Sequence, residues 1–196
     1  MSRFLVGITG ASGAAYGRRL VEVLLEREQE VWLVVTPAGR QVLRQEGGIH
    51  LPEDPRDAAR VAGEAFGAGL TYFDAADLNA PPASGSVPLD GTALVPCSMG
   101  ALSAVATGAA RNLLERAADV ALKEGRRLVL VPRETPLSLV HLRNLVAAAE
   151  AGARIVPAMP GFYHQPRRVE DLVDFVVGRV LRALGLGDDL VPPWGA

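Results

Sequence analysis

Short apolar runs alternate along the chain with longer stretches in which apolar residues recur every three or four positions. The short runs are typical of strands buried on both faces, and the longer stretches have the period of amphipathic helices. The predicted strands are residues 4–9, 31–36, 92–96, 127–132 and 153–157. The predicted helices are residues 12–27, 37–46, 56–66, 99–109, 112–124, 137–151 and 169–184. This alternation predicts an α/β fold, a three-layer sandwich with a mainly parallel sheet and helices on both faces.

Three segments do not follow this pattern. Residues 70–78 are ambiguous, residues 79–91 are rich in Pro, Gly and Ser and predict a surface loop, and residues 158–168 predict another loop. No internal repeat or linker divides the sequence. We therefore expect a single domain over residues 1–196, in which the proline-rich residues 185–196 form a C-terminal tail.

The composition argues against several classes of function. Hydrophobic residues make up 49% of the 196 residues and the mean hydropathy is +0.20, so little of the chain is expected to be disordered. The formal net charge of -2 gives no basic field for a nucleic acid partner. With one cysteine, Cys97, no internal disulfide can form, and the three histidines are too far apart in sequence to suggest a metal site.

One uncharged stretch, residues 91–110, is long enough to imitate a membrane span. Pro96 interrupts it, and most of its second half is Gly, Ala, Ser and Thr, so we interpret it as a short buried strand followed by a tightly packed helix. The N-terminus lacks the apolar core of a signal peptide. We therefore expect a cytoplasmic protein with no membrane segment.

The turn after the first predicted strand, residues 9–14, is a candidate phosphate site. Its glycines let backbone N–H groups approach a phosphate, and Ser12 can both cap the following helix and offer a hydroxyl to a ligand. The dinucleotide pattern GxGxxG is absent, and the second strand ends in Thr36 rather than an acidic residue that would hold a ribose. A P-loop lysine is also missing. A mononucleotide therefore fits better than NAD, although a capped turn without a ligand stays open on these residues alone.

Seven ordered segments resemble the flavin prenyltransferase family, the UbiX-type enzymes that make prenylated FMN for a UbiD-type decarboxylase. They are TGASGA near the start, PPASG at 81–85, PCSMGALSAVATG at 96–108, ERAADVALKE at 115–124, LVLVPRETP at 128–136, PGFYHQP at 160–166 and DLVDFVVGRVL at 171–181. The resemblance spans residues 4–194. It implies the Rossmann-like fold of flavoproteins and a homo-oligomer, a dodecamer, with FMN at subunit interfaces.

The resemblance also implies which residues bind each ligand. Those implied for FMN are Gly10, Ala11, Ser12, Thr36, Ser98, Met99, Gly100, Ala101 and Arg133. Those implied for dimethylallyl phosphate are Arg116, Lys123, Arg133, Glu134, Tyr163 and Arg179. Those implied for catalysis are Ser12, Glu46, Lys123, Glu134 and Trp194. Arg116, Glu46 and Trp194 are expected to come from other subunits or from the tail. Thr36 stands where relatives often have Ser, so a hydroxyl is kept, and the roles of residues 84–91 and of the tail after Trp194 stay open.

The implied reaction joins a dimethylallyl group to N5 and C6 of reduced FMN, which closes a fourth ring. Cations stabilise the departing phosphate, the Trp194 or Tyr163 ring can stabilise an allyl cation, and Glu134 with Ser12 can move protons. Arg116 and Lys123 are seven residues apart on a predicted helix, which places them on one face. The only pair of adjacent aspartates, residues 188–189, lies in a turn, so no Mg²⁺ site is evident and a diphosphate donor is disfavoured.

Two other functions are compatible with parts of the sequence. A flavin-dependent cysteine decarboxylase has a similar fold but carries a PASAN-type stretch and a Met-Asn-Met-Trp-type segment, whereas this chain has PPASGS and lacks the second segment. A non-enzymatic flavoprotein is the other alternative, and it would have no use for the cationic residues. We interpret Cys97 as a small apolar core residue and His164 as part of the loop structure.

Overall fold

A computed structural model describes residues 1–192, and a six-stranded sheet forms its centre. The strands are β1 (Arg3–Ile8), β2 (Glu30–Val35), β3 (Leu70–Asp74), β4 (Gly91–Cys97), β5 (Arg127–Pro132) and β6 (Arg154–Ile155). They lie in the order β3-β2-β1-β4-β5-β6, and each neighbouring pair is parallel. The helices are α1 (Ala14–Glu26), α2 (Pro37–Gly47), α3 (Pro55–Phe66), α4 (Met99–Thr107), α5 (Leu113–Lys123), α6 (Leu139–Glu150) and α7 (Val169–Ala183).

Helices cover both faces of the sheet because its central strands are apolar on both sides. Phe4 and Val6 of β1 lie in one core with residues of α1 and α7. Leu5, on the opposite face of β1, lies in a second core with residues of α4, α5 and α6. Successive residues of a strand point to opposite faces, so the continuous apolar run of β1 supplies both cores.

The predicted α/β sandwich is confirmed, and the sheet is parallel throughout. The ambiguous residues 70–78 contain the edge strand β3, and the last predicted strand is reduced to the two residues of β6. The prediction that Ser12 caps α1 is wrong. Gly13 is the N-cap, with a φ of 114° in the left-handed region that favours glycine, so α1 begins at Ala14. Within residues 1–192, no helix is long and apolar enough to span a bilayer.

Candidate active site

The strand order reverses between β1 and β4, and parallel α/β sheets bind ligands beyond the carboxyl ends of the strands at such a point. Helix α1 follows β1 after the turn at residues 9–13, and α2 and α4 each begin after a single residue beyond the ends of β2 and β4. Each helix N-terminus has N–H groups without partners in the helix and a positive dipole end. The candidate site therefore lies where these three helices begin.

The N-terminus of α1 is occupied by a carboxylate of the same chain. Glu46, on α2, accepts hydrogen bonds from the backbone N–H of Gly13 at 2.8 Å and of Ala14 at 3.0 Å. The Ser12 hydroxyl also donates to this carboxylate. The expectation that Glu46 reaches the site from another subunit or from the tail is therefore wrong, because α2 places it beside Ser12 in the same protomer.

The pKa of Glu46 is lower than that of an ordinary glutamate. Partial burial raises it, but the hydrogen bonds from Ser12, Gly13 and Ala14 and the charge of Arg133 lower it by more. Glu46 is therefore ionised at neutral pH. Because the pKa is lowered by folding, the stability that these contacts contribute is present above the ordinary glutamate pKa and is lost as the pH falls through the lowered value.

The hydroxyls of Thr36 and Ser98 cap the other two helices. Thr36 Oγ1 accepts from the Gly39 N–H at 3.1 Å, and Ser98 Oγ accepts from the Ala101 N–H at 3.3 Å. Sequence reasoning had assigned both residues only to the cofactor. In α4 the next residue positions, Met99 and Gly100, offer first-turn N–H groups that have no partner inside the helix. Space around Gly100 is open, since a Cβ there would meet nothing within 4 Å.

Buried Thr9 fixes the start of α4 relative to the end of β1. Its hydroxyl donates to the Pro96 carbonyl at 2.7 Å and accepts from the Ser98 N–H at 2.7 Å. Sequence reasoning assigned no role to Thr9 beyond its place in the motif. The available signal was a polar residue at the carboxyl end of an apolar strand.

We expect Thr9→Val to lower the free energy of unfolding by about 2 kcal/mol, because it keeps the volume but removes the partner of the Ser98 N–H and one of the two hydrogen bonds to the Pro96 carbonyl, which keeps only the Thr9 backbone N–H at 3.3 Å. Urea denaturation measures this loss. Thr92→Val is the matched control, since Thr92 is equally buried in β4 but its hydroxyl has no hydrogen-bond partner within residues 1–192. Similar losses in both variants would contradict the role given to Thr9.

Arg133 and Glu134 follow β5 and are exposed at the same edge of the sheet. The charge of Arg133 acts on Glu46 and on Tyr16 of α1, so these side chains lie near one another. Burial raises the pKa of Tyr16, and the charge of Arg133 opposes that rise. Glu134 accepts a hydrogen bond from the Thr135 N–H at 3.0 Å. Tyr16 was not singled out from the sequence.

Arg116 and Lys123 both lie against the loop that precedes β4, as their spacing on α5 predicts. Arg116 Nε donates to the Ala83 carbonyl at 3.1 Å, and a Cβ on Gly85 would lie 2.8 Å from Lys123 Nζ. Lys123 also pairs with the adjacent Glu124. Arg126 donates to the carbonyls of Gly85 at 2.6 Å and Val87 at 2.7 Å. These contacts hold residues 83–87 against α5 and the segment that follows it.

Tyr163 and Arg179 form a third group, beside β6. Arg179 donates to the Tyr163 hydroxyl at 2.9 Å, and its guanidinium lies 5.1 Å from the centre of the Phe175 ring. The rings of Tyr163 and Phe175 meet edge to face. Tyr163 and Arg179 are both expected to bind the phosphate of the prenyl donor, and they contact each other within one chain.

Lys123 and Arg133 lie near opposite ends of the parallel strands: Lys123 near the amino end of β5 and Arg133 at its carboxyl end. Lys123 ends α5 just before β5 begins, whereas Arg133 directly follows the last residue of β5. The six residues of β5 separate these two ends by roughly 20 Å. One chain therefore does not bring the two cations onto the same small ligand. Trp194 lies outside the described residues.

The described residues do not contain an evident metal centre or an activated thiol. No group of three His, Cys, Asp or Glu side chains within residues 1–192 is arranged to hold a metal ion. Cys97 is fully buried, and burial raises its pKa to about 12. A thiol with so high a pKa is not a nucleophile at neutral pH.

Known proteins are similar in sequence to this chain over nearly its whole length. A family profile named Flavoprotein matches residues 1–181. Flavin prenyltransferase UbiX of Pseudomonas aeruginosa is 50% identical over 196 residues, which cover 98% of this chain and 94% of that protein. The chain belongs to the flavin prenyltransferase family. The family indicated by the seven sequence motifs is thereby confirmed.

Two solved structures extend the likeness of this chain to the fold. The crystal structure of AnUbiX (PadA1) in complex with FMN and dimethylallyl pyrophosphate has a TM-score of 0.88 and 37% identity, and the match covers 100% of this chain and 98% of that chain. A dodecameric FMN-dependent Ubix-like decarboxylase from Escherichia coli O157:H7 has a TM-score of 0.86 and 40% identity, with 99% of this chain and 100% of that chain covered.

Proposed function

We propose that this chain transfers a dimethylallyl group from dimethylallyl phosphate to reduced FMN and so makes prenylated FMN for a UbiD-type decarboxylase. The observation that carries the proposal is a difference between two neighbouring helix N-termini, one occupied by a carboxylate of the chain and the other open. Glu46 occupies that of α1, whereas the start of α4 is open at Gly100. We therefore propose that the anionic group of the ligand binds at α4, with the Ser12–Glu46 pair beside its uncharged part.

The residues at this edge of the sheet fit a flavin monophosphate. The N–H groups at the start of α4, with Ser98 and Arg133, suit the phosphate, because a helix N-terminus and an arginine both favour an anion. Gly10, Ala11 and Thr36 lie at the neighbouring turn and can line the flavin. A Cβ on Gly10 would lie 2.5 Å from the Cβ of Ala38, closer than two non-bonded carbon atoms approach, so a glycine is needed where these turns meet.

The proposed donor site collects cations and needs no metal. Arg116, Lys123, Arg133 and Arg179 with the Tyr163 hydroxyl can bind a phosphate dianion, and fixed cations of this kind stabilise the leaving phosphate. Reduced FMN, when bound, supplies the nitrogen and carbon that accept the prenyl group. The ionised Glu46, which accepts a hydrogen bond from the Ser12 hydroxyl, and Glu134 are the groups proposed to move protons. Trp194 is proposed, on family resemblance alone, to offer an aromatic face to the prenyl group.

The separation of the cations supports a site shared between chains. We propose a homo-oligomer, a dodecamer like the Escherichia coli relative, in which Arg116 and Lys123 of one chain approach Arg133 of another. An apolar face suited to burial between subunits is exposed on α6, where the exposed fractions of Leu139, Val140 and Val146 are 60%, 62% and 57%. We also propose that residues 1–196 form one domain with a tail from residue 185, and that it works in the reducing cytoplasm, which suits a reduced flavin.

The proposal predicts a heavier flavin product. After anaerobic incubation with reduced FMN and dimethylallyl phosphate, we expect mass spectrometry to show FMN that has gained one five-carbon unit, together with free phosphate. Oxidised FMN is the control and should stay unchanged. An unaltered flavin with an intact donor would contradict the proposed function.

The same assay decides a second candidate function. The similar Escherichia coli structure is described as a decarboxylase, so loss of carbon dioxide from an added carboxylic acid is measured in parallel. Carbon dioxide release by this chain without prenylated product would favour decarboxylation.

We expect dimethylallyl phosphate to be a better donor than dimethylallyl pyrophosphate. The second phosphate adds charge that is usually balanced by Mg²⁺, and residues 1–192 contain no clustered metal ligands. The AnUbiX (PadA1) structure is in complex with dimethylallyl pyrophosphate, so binding alone does not discriminate between donors. The deciding measurement is kcat/KM for each donor without metal. Equal values would contradict this expectation.

A further inference from the structure

The turn after α7 forms ion pairs with α7 and with the end of α1 through two acidic residues, Asp188 and Asp189. Arg27, at the end of α1, donates to the Gly187 carbonyl at 2.7 Å and pairs with the Asp189 carboxylate. Asp188 pairs with Arg182 of α7 at 3.3 Å. The aspartate pair that marks a turn in the sequence therefore joins the tail to both α1 and α7.

The two aspartates differ in burial. The side chain of Asp188 is 6% exposed and that of Asp189 is 80% exposed. Asp188 Oδ1 has no hydrogen-bond partner within residues 1–192. A carboxylate is costly to bury, so its position calls for a reason beyond the exposed partner Arg182.

Gly178 of α7 makes the space in which Asp188 lies. A Cβ at this position would be 2.8 Å from Asp188 Cγ, closer than atoms approach in real contacts. Gly178 does not have a positive φ, so the backbone itself does not require glycine. The close approach of the Asp188 carboxylate is what excludes a side chain.

Asp188 also lines a cavity of about 160 Å³ that contains Tyr163 and Arg179. Val191 and Pro192 form the tail side of this cavity. Arg179 and Arg182 are three residues apart and therefore neighbours on the surface of α7. Asp188 pairs with Arg182, and the adjacent Arg179 contacts Tyr163.

We infer that Asp188, seated against Gly178, is a positioning residue that fixes the tail on α7 and so sets the geometry of the Tyr163–Arg179 pair. This inference rests on the proposed function, which assigns the phosphate of the donor to that pair. Asp188 acts through Arg182 and the tail rather than by contact with the donor.

The deciding variant is Gly178→Ala, which displaces the Asp188 carboxylate without changing any charge. We expect the Kd and KM for dimethylallyl phosphate to rise about tenfold, the size of one weakened charged hydrogen bond, while kcat and FMN affinity stay nearly constant. The matched control is Gly187→Ala in the same turn, where a Cβ would meet nothing within 4 Å. Calorimetric titration gives the Kd, and initial rates give KM and kcat.

A purely structural role for Gly178 predicts a lower Tm and a smaller active fraction with unchanged Kd and KM, and that result would overturn the inference. Asp188→Ala is the second variant and should weaken donor binding similarly. The double variant should be no weaker than Asp188→Ala alone, because the two changes disrupt one contact; effects that multiply would also overturn it. The Kd is measured without turnover, so the two proposals can fail separately. Wild-type protein that binds the donor but makes no prenylated FMN would contradict the proposed function. The Kd values of the variants would still test this inference.

Discussion

Two inactive variants, Lys123→Ala and Arg133→Ala, are expected to regain activity when their chains share an oligomer. Each alone should lose at least about a hundredfold in turnover, because each removes a cation proposed to stabilise the leaving phosphate. The two residues lie at opposite ends of β5, so in the proposed assembly they reach one site from different chains. Random mixing in a symmetric oligomer then gives about a quarter of the sites both cations. Co-expression with two affinity tags, followed by the prenylation assay, measures the recovery.

The matched control combines Lys123→Ala with Arg116→Ala. These residues lie on one face of α5 and contact the same loop, so both reach a given site from the same chain. Every site then lacks one of them, and mixing should restore nothing. Recovery in the control, or none with Arg133→Ala in verified mixed oligomers, would contradict the proposed sharing of the site between chains.

Glu134→Gln is expected to lower turnover by about a hundredfold or more while FMN binding persists. The change keeps the size of the side chain but removes a group proposed to move a proton, and such groups contribute at least this much. Single-turnover rates and FMN titration separate the two effects. Glu64→Gln is the control, since Glu64 forms an exposed pair with Arg60 at 2.8 Å on α3, and such pairs contribute little. Loss of FMN in Glu134→Gln would assign the residue to cofactor binding instead.

Hydrophobic periodicity predicted the fold well because the central strands and the helices are long and strongly patterned. It was less informative at the sheet edges. β3 is partly exposed and β6 is only two residues long, so neither has the continuous apolar run that marks β1 or β4. The predicted start of α1 was wrong because Ser12 is a residue type that often caps helices. The left-handed φ of Gly13, which makes it the N-cap, cannot be read from the residue type of its neighbour.

Motifs in the sequence indicate candidate site residues, but they do not indicate contacts between distant segments. The sequence suggested a phosphate at the first turn, but Glu46 occupies that helix end from α2, a contact across 33 positions. The spacing of Arg116 and Lys123 predicted their shared face, yet no local pattern indicates that Arg126 fixes the loop before β4. Likewise, the burial of Asp188 depends on a glycine in another element and has no local signal.

The central position of β1 also bears on how the chain folds as it is synthesised. Phe4 lies between Val31 of β2 and Gly91 of β4. A nascent chain that has reached α3 can pair β1 with β2, but the other edge of this apolar strand stays open until β4 leaves the ribosome. Open apolar edges pair with other chains and promote aggregation. Fragments that end before β4 are therefore expected to accumulate as insoluble protein rather than as partly folded flavin binders.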